Sequence, residues 1–458
     1  MKNYPQKFEK KELMITINRM GINGEGLGYY KKKIMFIPGA LPGEVVIARI
    51  IKENPRYIEG ALVRIKKASP DRVKFPAGVD PTVGGLELAH LDYAKQLKFK
   101  TDIIRESLEK FHPRNYTKYK IKNTIPAPAQ WHYRAKASYQ VERRGGKLKL
   151  GLYRPNSHDL IDLPKMPTQS PLTQTIIRQI GAIITDLDMP VFDIRTHPFG
   201  IKTVVVREAF ATKEVQVTII TVGNKIPQLK QFAEAIMKIE HVKSVFHNVT
   251  EIENKKMWGY HTEKLLGQDK ITEKLLDKEF KLSPEAFFQL NPEQTKNLYE
   301  LALKNLDLTP DDTLIDAYSG VGTIGILAAD RVKKVIGMET IPEAVEDAKQ
   351  NVKLNNVKNA DYLVGKAERI LPELKEEGLN FDALIVDPPR TGLDRQLIKT
   401  ILDVAPKTFV YISCNPSTLA RDLVTLTDKY DVRLIQSIDM FPQTARVEAV
   451  VKLVLRDK

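Results

Sequence analysis

Residues 312–325 read D-T-L-I-D-A-Y-S-G-V-G-T-I-G. Asp312–Asp316 places Leu314 and Ile315 between polar ends, as a short buried strand does. Ala317–Gly325 is a glycine-rich turn that opens onto an apolar helix. Strand, glycine turn and helix form the first unit of a doubly wound sheet. The chain beyond repeats that unit. Lys334–Glu339 is a second strand ending in an acid, Pro342–Asn355 a helix, and Tyr362–Val364 a third strand. Phe381–Val386 is a fourth strand, followed by the loop Asp387-Pro388-Pro389-Arg390. With Thr408–Ser413 and Val447–Leu453 this makes at least six strands alternating with helices, which predicts a Rossmann-like α/β domain over residues 271–458.

Gly320-x-Gly322-x-x-Gly325 matches the dinucleotide fingerprint, and Glu339 lies 14 residues beyond its last glycine. Asp316 argues against a dinucleotide. A carboxylate beside the turn repels a pyrophosphate, at a cost on the order of 1 kcal/mol or more at short range. A cofactor without phosphate and with a cationic sulfonium suits the site better, and Glu339 suits a ribose diol. The reading is therefore S-adenosylmethionine rather than nicotinamide dinucleotide. Glycines that serve only helix–strand packing are the remaining alternative.

The only cysteine in 458 residues, Cys414, stands in Y-I-S-C-N (411–415) at the end of the strand Thr408–Ser413. A helix-like stretch follows it, and the dipole of such a helix favours thiolate. Taken alone, a single cysteine is more often a small buried hydrophobe. Its neighbours change the balance. The two prolines after Asp387 fix a rigid turn, which holds that acid against the polar edge of a planar ring. Carbon 5 of uracil is a poor nucleophile. Addition of a thiolate to carbon 6 makes an enolate that can attack a sulfonium methyl. A base must then remove the carbon 5 proton. Glu448, at the mouth of the last strand, is the candidate base, with a surface glutamate as the alternative.

Charge divides the chain. Residues 310–458 hold 20 Lys and Arg against 23 Asp and Glu, so the net +14 lies wholly within residues 1–309. A basic front half ahead of a near-neutral back half points to a polyanion-binding module joined to a small-molecule site. One cysteine excludes an intramolecular disulfide. No run approaches the roughly 18 apolar residues of a membrane span, and the first residues lack an apolar signal core, so a cytoplasmic protein is expected.

Residues 1–10 read as a disordered leader. Leu13–Ile17, Ile34–Ile37, Glu44–Ile51 and Tyr57–Ile65 are short strands with glycine-rich turns between them, which predicts an OB-like β-barrel over residues 1–67. Tyr29, Tyr30 and Lys31–Lys33 suit a nucleic-acid surface, or equally a soluble hairpin tip. Residues 68–270 read as a basic α+β RNA-binding domain. It contains a Pro/Gly-rich connector (72–92), a helix over Tyr93–Phe111 and a strand over Trp131–Val141.

Five motifs in order carry a family likeness: F-F-Q-L-N (287–291), D-A-Y-S-G-V-G-T (316–323), D-P-P-R (387–390), S-C-N-P (413–416) and D-M-F-P-Q-T-A-R-V-E (439–448). Through them the whole chain resembles the bacterial RNA uracil-5-methyltransferases, in the longer form that modifies 23S ribosomal RNA. The resemblance implies that Gln289, Tyr318, Glu339 and Asp387 contact the cofactor or the reacting base. It implies Cys414 as nucleophile and Glu448 as base. Residues 11–66 look like the family's TRAM domain, an RNA-binding barrel that the shorter tRNA-modifying relatives lack. It further implies that Tyr93 to about Ile121 packs with the catalytic domain, and that the protein is a monomer acting on 23S rRNA. A tRNA uracil-5-methyltransferase and a non-catalytic RNA-binding factor are the alternatives. Two departures from the family pattern stand out. Many members hold an iron–sulfur cluster on four cysteines, where this chain has Ala77, Val83, Leu86 and Met166, so no cluster and no metal is expected. Where histidines usually precede the final glutamate, this chain has Gln443 and Arg446.

Overall fold

The computed structural model describes residues 12–456 except 156 and 255, so the leader read at residues 1–10 lies outside the described residues. Three sheets and one isolated hairpin are described.

The first sheet has six strands in the spatial order Glu12–Thr16, Val45–Glu53, Tyr57–Lys67, Lys33–Ile37, Gly26–Tyr30 and Arg19–Met20. Alternate residues, among them Leu13, Ile15, Met35, Ile37, Val46 and Ala48, form its core. The sheet closes on itself where the Asn18 N–H donates to the Leu27 carbonyl at 2.8 Å. Gly28 permits the closure, because a Cβ there would lie 2.7 Å from the Thr16 carbonyl oxygen. The stretch read from sequence as a turn and a tyrosine–lysine cluster holds the strand Gly26–Tyr30, and Arg19–Met20 lies just before it. Its glycines serve close strand approach as well as bending.

The barrel is joined to the rest by a shared core, in which Met20 and Leu41 pack with Leu88, Leu91, Phe99 and Ile103. Glu44 is fully buried at this junction. It accepts hydrogen bonds from Arg72 at 2.6 and 2.8 Å and from the N–H groups of Leu41 and Ser69. Burial works against the Glu44 carboxylate, but these donors outweigh it and hold its pKa below the ordinary value.

The central sheet has seven strands, in the order Leu160–Asp162, Lys147–Tyr153, Lys136–Arg144, Gly200–Glu208, Val215–Val222, Val242–Thr250 and His261–Gly267. The helices Pro171–Asp186 and Leu229–Met237 bury Ile177, Ile180 and Phe232 against one face of it. The strand read from Trp131 begins only at Lys136. Before that point the backbone bonds elsewhere, Arg134 N–H to Thr168 and Ala135 N–H to Leu290, and His132 is left-handed at φ 60°.

The third sheet has eight strands. Ala360–Val364, Lys334–Glu339, Thr313–Ala317, Ala383–Val386 and Thr408–Ser413 are parallel neighbours. Glu448–Leu455 inserts antiparallel between Thr408–Ser413 and Tyr430–Ile438. Ile121–Ile125 adds an edge strand parallel to Tyr430–Ile438. The helix Tyr93–Phe111 packs against the helix Pro416–Leu426 and against this edge strand. Among the described residues no helix is long and apolar enough to cross a membrane.

Candidate active site

Strand register sets the site at one edge of the third sheet. Ala317 pairs with Met338 and Val386, Val386 with Tyr411, and Ser413 with Ala449. Tyr318, Glu339, Asp387 and Cys414 therefore emerge side by side at the carboxyl ends of parallel strands, where such sheets bind ligands. The Ser413–Ala449 pair makes Cys414 and Glu448 the next residues along two antiparallel neighbours. Gln289 reaches the same place from the loop before the helix Pro292–Lys304. On that helix its neighbour in space is Tyr299, whose phenol also lies in the field of Asp387, Asp316 and Glu448.

The glycine turn has two functions. Gly322 (φ 83°) and Gly325 give room to Tyr362, whose hydroxyl a Cβ at Gly325 would approach to 2.5 Å. These two serve packing. Gly320 is different, because a Cβ there would meet nothing within 4 Å. Tyr318 is left-handed at φ 68°, a conformation that an aromatic side chain adopts only when its surroundings impose it. Glu339 Oε2 accepts the Gly320 N–H at 3.2 Å, and Oε1 accepts from Thr340 and Ile341. Oε2 keeps a lone pair free for a diol. The apolar side chains of Ile341 and Val364 are exposed, and Val364 pairs in register with Glu339.

The charges are concentrated. Burial pushes Asp316 up to about 7, with Asp387 and Glu339 adding to the rise and the Gly325 N–H opposing it. Asp387 opens partly to the cleft, yet protein surrounds its other sides, and burial pushes it up to about 7 as well. Glu448 is raised well above its ordinary value by burial and by Asp387, against Arg390. One oxygen of Glu448 and the hydroxyl of Ser319 are buried without a hydrogen-bond partner. Buried acids and orphaned polar atoms at one sheet edge are what a cationic, hydrogen-bonding ligand would satisfy, and S-adenosylmethionine fits that description.

The thiol departs from expectation. The helix Pro416–Leu426 does follow Cys414, but burial pushes the thiol up to about 12, helped by Glu448 and Asp387 and opposed by Arg390. Desolvation and two acids outweigh the helix dipole. The next residue ties the motifs together. The Asn415 side chain caps that helix by accepting from the Ser417 N–H at 3.1 Å, and it donates to the Arg390 carbonyl at 2.9 Å. Thr418 and Arg421 donate to the same loop, at the carbonyls of Arg390 and Thr391. The D-P-P-R loop is thus fastened to the turn that carries the thiol.

Sequence reading missed Tyr299, which sits in an ordinary amphipathic pattern, and the clasp made by Asn415. Of the four positions aligned with cluster cysteines, Val83, Leu86 and Met166 are buried in the central hydrophobic core and Ala77 is exposed. None offers a thiolate, so the residues present do not fit a cluster. Among the described residues no group of His, Cys, Asp and Glu is placed to hold a metal ion.

The fold and this edge define a class I S-adenosylmethionine-dependent methyltransferase with an RNA-binding TRAM barrel ahead of it. The family model for tRNA (uracil-5-)-methyltransferase matches residues 92–456 and the TRAM model matches residues 6–63, so the chain belongs to the uracil-5-methyltransferase family. An uncharacterized RNA methyltransferase of Lactobacillus johnsonii is 62% identical over 456 residues, covering 100% of this chain and 99% of the relative. One of Lactiplantibacillus plantarum is 51% identical, covering 96% of this chain and 92% of the relative. The solved Pyrococcus abyssi tRNA (uracil-54, C5)-methyltransferase, in complex with S-adenosyl-L-homocysteine, superposes with a TM-score of 0.77 at 28% identity. That match covers 96% of this chain and 100% of the other, and so spans the barrel. A tRNA enzyme with a matching front end means that the barrel alone does not separate rRNA from tRNA enzymes.

Proposed function

We propose that this protein methylates carbon 5 of a uridine in 23S ribosomal RNA, through a covalent adduct between Cys414 and carbon 6. The pairing of Ser413 with Ala449 carries this reading, because it sets the only thiol of the chain beside the buried, partly unpartnered carboxylate of Glu448. S-adenosylmethionine, when bound, supplies the methyl group on a sulfonium. Asp316 and Asp387 favour that cation, Glu339 takes the ribose, and Ile341 and Val364 offer apolar contact to the adenine. Gln289 and Tyr318 line the space shared with the base.

Cys414 gives up its proton to solvent and its sulfur bonds to carbon 6, so that the 5,6 π electrons shift into an enolate that is nucleophilic at carbon 5. After methylation Glu448 takes the carbon 5 proton. The C–H electron pair forms the 5,6 double bond, and the C–S bond breaks to release Cys414. The target must first be flipped out of its stack, at a cost of a few kcal/mol. The basic residues 1–309 supply the binding energy for it. The protein acts as a cytoplasmic monomer and carries no iron–sulfur cluster.

The test is methylation of separate 23S rRNA fragments and of tRNA, with products mapped by mass spectrometry. Wild-type protein should modify one uridine of an rRNA fragment and form a stable adduct with 5-fluorouridine RNA. Cys414→Ala should do neither. An active Cys414→Ala enzyme would end the mechanism. Modification of tRNA alone would establish the second reading, which the Pyrococcus likeness supports.

A further inference from the structure

We propose that Tyr93, Gln96 and Lys100 are positioning residues for Glu448, acting through the turn 439–444 that leads into its strand. The proposal rests on the reading of Glu448 as the base.

The turn is buried, with Asp439 and Met440 fully enclosed and Gln443 and Thr444 nearly so. Little inside it fixes its shape. Its internal bonds are Met440 N–H to Ile438 at 3.0 Å, and the Thr444 N–H and hydroxyl to Phe441 at 3.3 and 2.8 Å. Gln443 is left-handed at φ 69°, which its side chain disfavours. The conformation is therefore imposed from outside.

One helix imposes most of it. Tyr93, Gln96 and Lys100 lie at the i, i+3 and i+7 positions of Tyr93–Phe111 and so share a face. Lys100 donates to Asp439, both side chains being fully buried, and to the Phe441 carbonyl at 3.0 Å. The Tyr93 hydroxyl donates to the other oxygen of Asp439 at 2.8 Å and accepts from the Ala127 N–H at 2.9 Å. Gln96 uses both ends of its amide. Its Nε2 donates to Gln443 Oε1 and the Leu91 carbonyl, both at 2.9 Å, and to the Leu88 carbonyl at 3.1 Å. Its Oε1 accepts the Gln443 N–H at 3.0 Å. Asn291, at the end of F-F-Q-L-N, adds a bond to the Met440 carbonyl at 3.0 Å. The loop bearing Gln289 is thereby tied to the same turn.

A buried ion pair contributes little net stability compared with apolar residues of the same shape. What the Lys100–Asp439 pair does provide is a single geometry for the residues that precede Glu448. In the proposed reaction Glu448 works only after methyl transfer, when the carbon 5 proton leaves and Cys414 is expelled. Misplacing it should slow release and leave addition and methylation intact.

The test uses full-length protein, a uridine-containing rRNA transcript and methyl-labelled S-adenosylmethionine. Label is followed in free RNA and in a protein–RNA adduct that survives denaturing electrophoresis. Tyr93→Phe, Gln96→Leu and the double variant Lys100→Met/Asp439→Leu should form the methylated adduct within about twofold of the wild-type rate. Release should slow at least tenfold, so that labelled adduct accumulates. Tyr93→Phe removes one hydroxyl, and it decides the matter if the double variant does not fold. Release at the wild-type rate, or a parallel fall in both steps, would overturn the proposal. A wild-type enzyme that forms no adduct with 5-fluorouridine RNA would instead sink the reading of the site on which it rests.

Discussion

Asp316 and Asp387 set the electrostatics at the carboxyl edge of the third sheet. Each is pushed from an ordinary 3.8 to about 7, so each holds its proton more tightly folded than unfolded. The free protein therefore loses stability as pH rises from about 4 to about 7, which is the opposite of a salt-bridged aspartate. A bound cation should reverse this by stabilising the ionised forms. S-adenosylmethionine is cationic at sulfur and S-adenosylhomocysteine is neutral there. Titration calorimetry should show the preference for S-adenosylmethionine growing severalfold from about pH 6 to about pH 8. A pH-independent ratio would count against these two acids as the cation site. Cys414, held up to about 12, should react slowly with iodoacetamide at pH 8 in the free enzyme, unlike a primed thiolate.

At the scale of elements, the parallel strands were legible because each is a short apolar run ending in chemistry. Asp316, Glu339, Asp387 and Cys414 each close or follow such a run, and all four lie at one sheet edge. Two strands of this sheet were not legible. Tyr430–Ile438 mixes Asp431, Arg433 and Gln436 into its length, and Ile121–Ile125 is an edge strand with two exposed positions. Both draw their identity from tertiary pairing rather than from pattern. The roles of Lys100 and Gln96 were hidden for a related reason. A polar residue on a helix reads as solvated until a partner more than 300 residues away is known. The clasp between the thiol turn and the D-P-P-R loop gives a prediction at this scale. Asn415→Ala loses a helix cap and its bond to Arg390, and should cost about 1 kcal/mol in chemical denaturation. Activity should fall further than that loss of stability explains, because Asp387 loses its support. Unchanged activity would show that the clasp is only structural.

Across the whole molecule, the barrel is less separable than its sequence suggested. Deletion of residues 1–66 would be the direct test of RNA binding by the barrel. Met20 and Leu41, however, belong to the core that holds Phe99 and Ile103, so deletion would expose apolar surface of the catalytic unit. Charge substitution is cleaner. Lys31 and Lys32 are exposed at a hairpin tip beside Tyr30. Lys31→Ala with Lys32→Ala should weaken rRNA binding and reduce its salt slope by about two, with S-adenosylhomocysteine affinity unchanged. Equal losses in both would mean that the tip only supports the fold.

The bond between Tyr93 and Asp439 joins residues 346 apart, and the whole central sheet lies between them in the chain. Contacts of such sequence separation form late, because closing so long a loop costs entropy before any contact repays it. If the central sheet folds first, it draws residues 125 and 271 towards each other and shortens the loop still to be closed. The folding pathway would then favour a central sheet that is complete before the carboxyl edge of the third sheet exists.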